Sequence, residues 1–358
     1  MTQATAAHLV VSRLDSLDVS RRTWVHLADR QDNIFSTWEW AATWWRHYGG
    51  KHELFLHEVT DGDGRPIAIL PLYAASTSVG RVLRFIGHGP ADQLGPVCAP
   101  EDRPMVANVL RGLVERRESP GVLLAERLRG DEGHVDALGG GLIRQESFPL
   151  IALNGSSWEE WLATKSANFR QQAGRRERRL SREHHLEYRL VTEEHEVGQA
   201  LDTLIELHEA HWQGRSSAFT PGRRAFHHEF ARAASRRSWA RIWIASVDGE
   251  PAAAWLGFRF GNADSYYQMG RAPVWDSRNV GFLLLMRTIR DATEARADEY
   301  RLLLGNEPYK QRLATKDPGV ITCVVGSGLM PLALRSLMAH RRRLPRFARR
   351  AVSAKLGW

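Results

Sequence analysis

Between Trp239 and Ala272 three strand-length apolar runs follow one another, turning at Asp248-Gly249 and at Gly261-Asn262. A helix then opens at Gly281 within "DSRNVGFLLLMRTIRDA". This order constrains the fold more than any other feature of the chain. Strands joined by two-residue turns pair antiparallel, whereas consecutive strands joined through a helix pair parallel. "YRLLLG" comes next, then a short helix at "PYKQRLA" and a last strand at "VITCVVG". The second half therefore predicts a mixed, mostly antiparallel sheet flanked by helices, an α/β (α+β) arrangement.

The helix start is itself a candidate site. Its first N–H groups lack partners and carry partial positive charge, which favours an anion. A glycine there lets a phosphate approach the backbone closely. Arg278, Asn279, Val280 and Gly281 are read on that basis as an anion seat. The competing reading is that Gly281 packs against a strand while Ser277 or Asn279 caps the helix.

The first half repeats the order of elements without a residue-level repeat. "NIFSTWEWAATWWRHYGG" reads as a helix capped by Ser36 or Thr37 and stopped at Gly49-Gly50, with Trp40, Trp44 and His47 on a core-facing stripe. A hairpin about Asp61-Gly62-Asp63-Gly64, a strand at "RVLRFIG" and the loop "HGPADQLGPV" follow. A helix from Arg103 to Glu118, the strand "GVLLAERL" and a short strand near "FPLIAL" complete it. Two related units around a shared groove are expected, spanning 1–160 and 161–330, with 331–358 as a basic helix or tail.

Charge narrows the partners. The chain carries a net charge of +8 with a pI near 9.8, which points to an anionic partner: nucleic acid, a phosphorylated small molecule or a membrane surface. "RQQAGRRERRLSREHH" (Arg170 to His185) and "RRRLPRFARR" (Arg341 to Arg350) hold much of the excess. Neither has the aromatic interleaving of a base-stacking surface, so contact with RNA would run along the phosphates. No helix-turn-helix, zinc or RNA-recognition motif is visible, which disfavours a nucleic-acid regulator. Cys98 and Cys323 lack metal-ligand spacing, so neither a disulfide framework nor a metal site is expected. No apolar run reaches membrane-span length and no signal peptide is evident, and the expected setting is the cytoplasm.

The residues "FSTWEWAATWW", "RPIAILPL" and "RFIGHGPADQLGP", then "GEPAAAWLGFRFGNADSYYQMG", "SRNVGFLLLMRTIRDA" and "LLLGNEPYKQRLA", resemble a tandem form of the GNAT acyltransferase fold. The closest resemblance is to the acetyltransferase family first associated with cellulose biosynthesis, which is related to the Fem-type aminoacyl-tRNA-dependent transferases. The resemblance spans roughly Phe35 to Gly326. It implies that the turn before the Gly281 helix cradles the pyrophosphate of acyl-CoA in an Arg/Gln-x-x-Gly-x-Gly/Ala pattern. Arg278 to Gly281 match its first half, and Phe282-Leu283 depart from its second. That departure fits equally well with an aminoacyl-tRNA donor.

Transfer of an acyl group to an amine needs a deprotonated amine, a stabilised oxyanion and a protonated leaving group. The resemblance places the oxyanion donors among the backbone N–H groups of Gln268, Met269 and Gly270, and the proton donor at Tyr309, behind Asn306. Lys310 is a candidate for charge neutralisation. Asp92, Glu307 and the histidines His208 and His211 are candidate bases, the histidines by virtue of their ordinary pKa. The function expected is an acyltransferase that moves an acyl group from acyl-CoA, acetyl-CoA first, to a small-molecule or peptide amine. The alternatives are aminoacyl transfer from tRNA, held through 168–185 and 341–350, and a non-catalytic protein that binds an anionic polymer or membrane.

Overall fold

A computed structural model describes residues 9–78 and 80–343. The chain divides into two units, Met1–Ser147 together with Pro318–Trp358, and Phe148–Asp317. It enters the first through β1 (Val10–Leu14), α1 (Arg21–Ala28) and α2 (Trp38–Tyr48). β2 (Glu53–Leu54), β3 (Leu56–Thr60), β4 (Pro66–Leu70), β5 (Leu72–Thr77), β6 (Gly80–Phe85) and β7 (Val97–Cys98) follow. α3 (Arg103–Val114), β8 (Leu123–Arg129), α4 (His134–Leu138) and β9 (Gly141–Glu146) complete this passage.

The second unit opens with β10 (Leu150–Ala152), α5 (Trp158–Ala163), α6 (Ala167–Glu183) and β11 (Leu186–Val191). It continues through α7 (Val197–Trp212), α8 (Pro221–Arg236), β12 (Ala240–Val247), β13 (Glu250–Phe260) and β14 (Ala263–Arg271). α9 (Val280–Glu294), β15 (Glu299–Arg301) and α10 (Pro308–Leu313) close it. The chain then returns to the first unit as β16 (Val320–Val325) and α11 (Leu329–Arg343).

The second unit holds one six-stranded sheet, ordered β10-β15-β14-β13-β12-β11, in which only the β14–β15 pair is parallel. The first holds two sheets, β1-β3-β4-β7 and β2-β5-β6-β8-β16-β9. The split falls at Pro71, which stands between β4 and β5 and cannot donate to a ladder. The β3–β4 hairpin turns as its sequence predicts, with the Asp61 carboxylate accepting from the amides of Asp63 and Arg65 at 3.0 and 2.8 Å. α2 begins on Thr37, whose hydroxyl accepts from the Trp40 amide, and Trp40 and Trp44 are buried. α5 carries a full capping box between Ser157 and Glu160.

Several expectations need correction. The boundary lies at 147/148, not at 160/161. "FPLIAL" supplies β10, which pairs with β15 of the second unit instead of ending the first. "VITCVVG" supplies β16, which fits between β8 and β9 of the first unit instead of closing the second, so 318–330 do not belong with 161–317. Apolar strands of this kind name no partner, and the register is set by the sheet edge they reach. α3 ends at Val114, short of Glu118. β9, β11 and α8 were not anticipated, because their apolar positions are sparse or irregular. The start of the expected C-terminal helix is present as α11. Side chains from Ala339 onward and residues 344–358 lie outside the described residues, and with them the arginines of 341–350.

Candidate functional site

β14 and β15 run parallel through three pairs, Ala263–Glu299, Asp264–Tyr300 and Ser265–Arg301, and their ladder ends there. From Tyr266 onward β14 keeps only its β13 neighbour, which leaves a fork at its free edge. The β14–β13 register slips between the Leu256–Gln268 and Gly257–Tyr266 pairs, so Tyr267 is an extra residue. The slip brings Tyr266 and Met269 to one face of the sheet, where an unbroken alternation would separate them. Tyr266 stacks on Trp255 there, and Met269 reaches α9. Tyr267 turns to the opposite face, against Phe258 and His227.

α7 locks the end of β14 in place. A Cβ on Gly270 would stand 2.4 Å from the His208 amide nitrogen and 2.6 Å from the Leu204 carbonyl, so only glycine admits the helix backbone this closely. His208 Nδ1 donates to the Met269 carbonyl at 3.0 Å, and Nε2 meets the Ser216 hydroxyl at 2.9 Å. Burial pulls the His208 pKa down, and both ring nitrogens are engaged. It is a pin between α7 and β14, not a free base. The bond also turns the Met269 carbonyl away from β13, and the N–H of the same strand residue points the same way. Of Gln268, Met269 and Gly270, Met269 is therefore the one whose peptide groups face the fork.

α9 enters the same region. Its cap residue Asn279 is left-handed, with φ of 59°, and no side chain caps the helix. Neither form of the capping reading holds, and the amides of Val280, Gly281 and Phe282 start the helix uncapped. Gly281 lies close on β14: an added Cβ would sit 3.1 Å from Arg271 Cδ and 3.3 Å from Met269 Sδ. The packing role and the open helix start thus coexist at one residue. Arg278 Nη1 lies 2.5 Å from Glu183 Oε2 at the end of α6, so its charge is already countered. Leu283 is buried in the core, while the Phe282 ring meets Phe169 and lies under the Arg176 guanidinium. Burial in the core accounts for the leucine at 283, where the pattern has a small residue.

Around the mouth, Arg271 Nε donates to Asp276 Oδ1 at 2.6 Å, and His211 Nδ1 lies 3.9 Å from Asp276 Oδ2. Burial and the Arg271 charge lower the His211 pKa. The cluster joins residues from α7, β14 and the turn before α9, a grouping that their spacing along the chain does not reveal.

The loop after β15 supplies the hydroxyl side. Leu303 and Gly305 take positive φ (57° and 130°), and α10 begins behind Glu307. Tyr309 Oη donates to Tyr266 Oη at 3.5 Å. Burial raises the Tyr309 pKa well above the ordinary phenol value, aided by the Tyr266 hydroxyl, and burial pushes Tyr266 up to about 12. Both phenols therefore stay protonated through the neutral range. Lys310 is buried: its ammonium donates to the Leu304 carbonyl at 2.5 Å, stands 3.4 Å from Glu307 Oε2 and lies 5.8 Å from the centre of the Tyr266 ring. Asn306 and Glu307 are exposed on the loop. Tyr266 was missed by the sequence reading. Its signal is the Tyr266-Tyr267 pair, whose two rings a bulge sends to opposite faces.

Asp92 belongs to the first unit. Its Oδ1 is 3.5 Å from Arg127 Nη1, and Arg127 also donates to the Gly89 carbonyl at 3.1 Å and to the Ala91 carbonyl. Among the described residues no group of three His, Cys, Asp or Glu is placed to hold a metal ion, and no helix is long and apolar enough to cross a membrane.

Residues 167–311, a stretch that lies within the second unit, match the model of the acetyltransferase (GNAT) domain. Three solved structures share the fold across most of their length. FemX aligns with a TM-score of 0.61 at 10% identity, covering 88% of this chain and 96% of its own. A conserved protein of unknown function from Bacteroides thetaiotaomicron aligns at 0.58 and 11% identity, covering 89% and 100%. The C-terminal domain of an Agrobacterium fabrum protein described as a lysylphosphatidylglycerol synthetase aligns at 0.56 and 13%, covering 89% and 96%. No curated protein matches the chain in sequence.

Proposed function

We propose that the chain transfers an acyl group to an amine at the β14–β15 fork, with acyl-CoA as donor and acetyl-CoA as the first compound to test. The observation that carries this reading is the fork itself, where the Met269 peptide, the uncapped α9 amides and the Tyr309 hydroxyl come from neighbouring elements. The Met269 N–H is the oxyanion donor, an oriented dipole that needs no rearrangement as charge develops. The amides of Val280, Gly281 and Phe282 receive the donor's diphosphate. Tyr309, protonated at neutral pH, gives its proton to the leaving thiolate; burial raises its pKa and makes that transfer uphill, so the phenolate left behind needs a nearby positive charge. Lys310, whose ammonium lies 5.8 Å from the centre of the Tyr266 ring, supplies that charge once the proton has left the tyrosine pair. Asn306 lines the loop, and Glu307 and Asp92 remain the two candidate bases; His211 orients the mouth through Asp276. The setting proposed is the cytoplasm.

The runner-up is aminoacyl transfer from tRNA. Its support is the exposed arginine face of α6 (Arg175, Arg178, Arg179 and Arg182), the Arg278–Glu183 pair that leaves no free cation at Arg278, and the fold shared with FemX.

Titration with acetyl-CoA and with an unfractionated aminoacyl-tRNA pool at two salt concentrations separates the two. Saturable acetyl-CoA binding that weakens in Gly281→Ala, with little change in melting temperature, supports the first. Steeply salt-dependent tRNA binding without CoA binding moves the chain to the second. Asp92→Asn and Glu307→Gln then identify the base, since its loss removes both turnover and the rise of turnover with pH.

A further inference from the structure

The net charge of this chain is not spread over it. From Pro318 to Trp358 there are eight Lys and Arg residues and no Asp or Glu, and the whole chain has 49 cations against 41 acids. Residues 1–317 therefore hold 41 of each and are neutral, and the entire +8 sits in the last 41 residues. The acyl-transfer site described above lies in the neutral part and gives this segregation no role.

α11 begins that segment and is two-sided. Met330, Leu334 and Met338 recur at helical spacing and pack on Val82, Val122, Leu124 and Val324 of the first unit. Arg335 Nη2 donates to the Val324 carbonyl at 3.2 Å, which ties the helix further to β16. The opposite face leaves Leu329 85% and Leu332 59% exposed, three residues apart, with Ala333 and Ser336 beside them also exposed. A helix whose inner face is already satisfied gains nothing for folding from two bare leucines. Six arginines follow between Arg341 and Arg350.

We propose that the outer face of α11, together with the arginines that follow it, docks the protein on the surface of an anionic phospholipid bilayer. Anionic headgroups attract a polybasic segment, and the interface takes up exposed leucines; each signal alone is weak and the two together hold. A nucleic-acid partner matches the arginines equally but gives Leu329 and Leu332 nothing to bury against, because phosphate contacts are polar. The proposal concerns where the enzyme sits and is independent of which donor it uses.

The test is flotation of the full chain with vesicles of phosphatidylcholine containing about 30% phosphatidylglycerol, against phosphatidylcholine alone, at about 0.1 M and 0.5 M salt. Binding is expected only to the anionic vesicles and only at the lower salt. Replacing the six arginines of 341–350 with glutamine lowers the bound fraction at least about tenfold. Leu329→Ser with Leu332→Ser lowers it about threefold or more, while the melting temperature holds because both side chains are exposed. Absence of binding to anionic vesicles overturns the proposal. So does binding that survives the arginine changes, or vesicle binding unaltered by the leucine changes and displaced by tRNA at equal phosphate, which makes the segment a general polyanion surface.

Discussion

The two units build the same parallel pair and do opposite things with it. In the second, β14 and β15 pair over three residues and then part, and the segment between β14 and α9 stays at the end of its own strand, tied by Arg271 and Asp276. In the first, β6 and β8 meet at Leu83–Leu123, but the loop after β6 folds back across the opening. The Leu94 amide donates to the Arg127 carbonyl at 3.0 Å, and Arg127, itself at a φ of 55°, holds the Gly89 and Ala91 carbonyls with its guanidinium. Behind it the buried Arg84 donates twice to Glu126 Oε2, at 3.0 and 2.6 Å. One fork is filled by its own chain and the other keeps an unpaired strand edge.

The comparison predicts that damage to the first fork costs stability and damage to the second costs turnover. The largest effect is expected for Arg84→Met, which strands a buried carboxylate and lowers the unfolding free energy of the first unit by about 3–5 kcal/mol in a denaturant titration. An unchanged midpoint would mean that Glu126 is not held as described. Next is Tyr309→Phe, which removes the proposed acid and reduces turnover by about 100-fold, near 2.7 kcal/mol in the barrier, with little change in melting temperature. Because burial raises the Tyr309 pKa, no loss of rate below about pH 10 should come from its ionisation. A fall in melting temperature comparable to that of Arg84→Met would erase the contrast between the forks.

A smaller effect follows from two buried histidines, one in each unit. Burial pulls His134 down to about 4 and His227 to about 3, both below the ordinary value of 6.5. Each stays neutral in the fold while its unfolded counterpart takes a proton, so stability is full above pH 6.5 and declines as the pH falls. Each contributes a slope of about 1.4 kcal/mol per pH unit, and the His134 contribution levels off near its folded pKa. His134→Phe should remove about that slope from the first unit alone, read by denaturant titrations at pH 6 and 5. Smallest is Gly281→Ala: its Cβ meets only the movable ends of Arg271 and Met269, so stability changes by less than about 1 kcal/mol and any effect falls on donor binding.

Much of the second unit was legible because its information is local. The turns at Asp248-Gly249 and Gly261-Asn262 set a meander, and the strand–helix–strand order after it requires a parallel pair, so β12, β13, β14, α9 and β15 follow from spacing alone. The site was legible as a place and not as a set of contacts. Gly281 and Tyr309 were named from the chain, but that Arg278 is countered by Glu183, that His208 is spent on the Met269 carbonyl and that Tyr266 stands beside Tyr309 all depend on residues distant in sequence.

By itself, then, the sequence determined the order of elements, the local turns and caps such as Thr37 and Ser157, and the segregation of charge into the last 41 residues, since each is a property of neighbours along the chain. Only the tertiary structure decided that β16 returns to the first unit, that Pro71 divides one sheet into two, and that one fork is filled while the other stays open. Strand pairing uses backbone groups that every residue has, so an apolar run carries its own periodicity but not the identity of its partner, which is settled when an unpaired edge elsewhere in the fold accepts it.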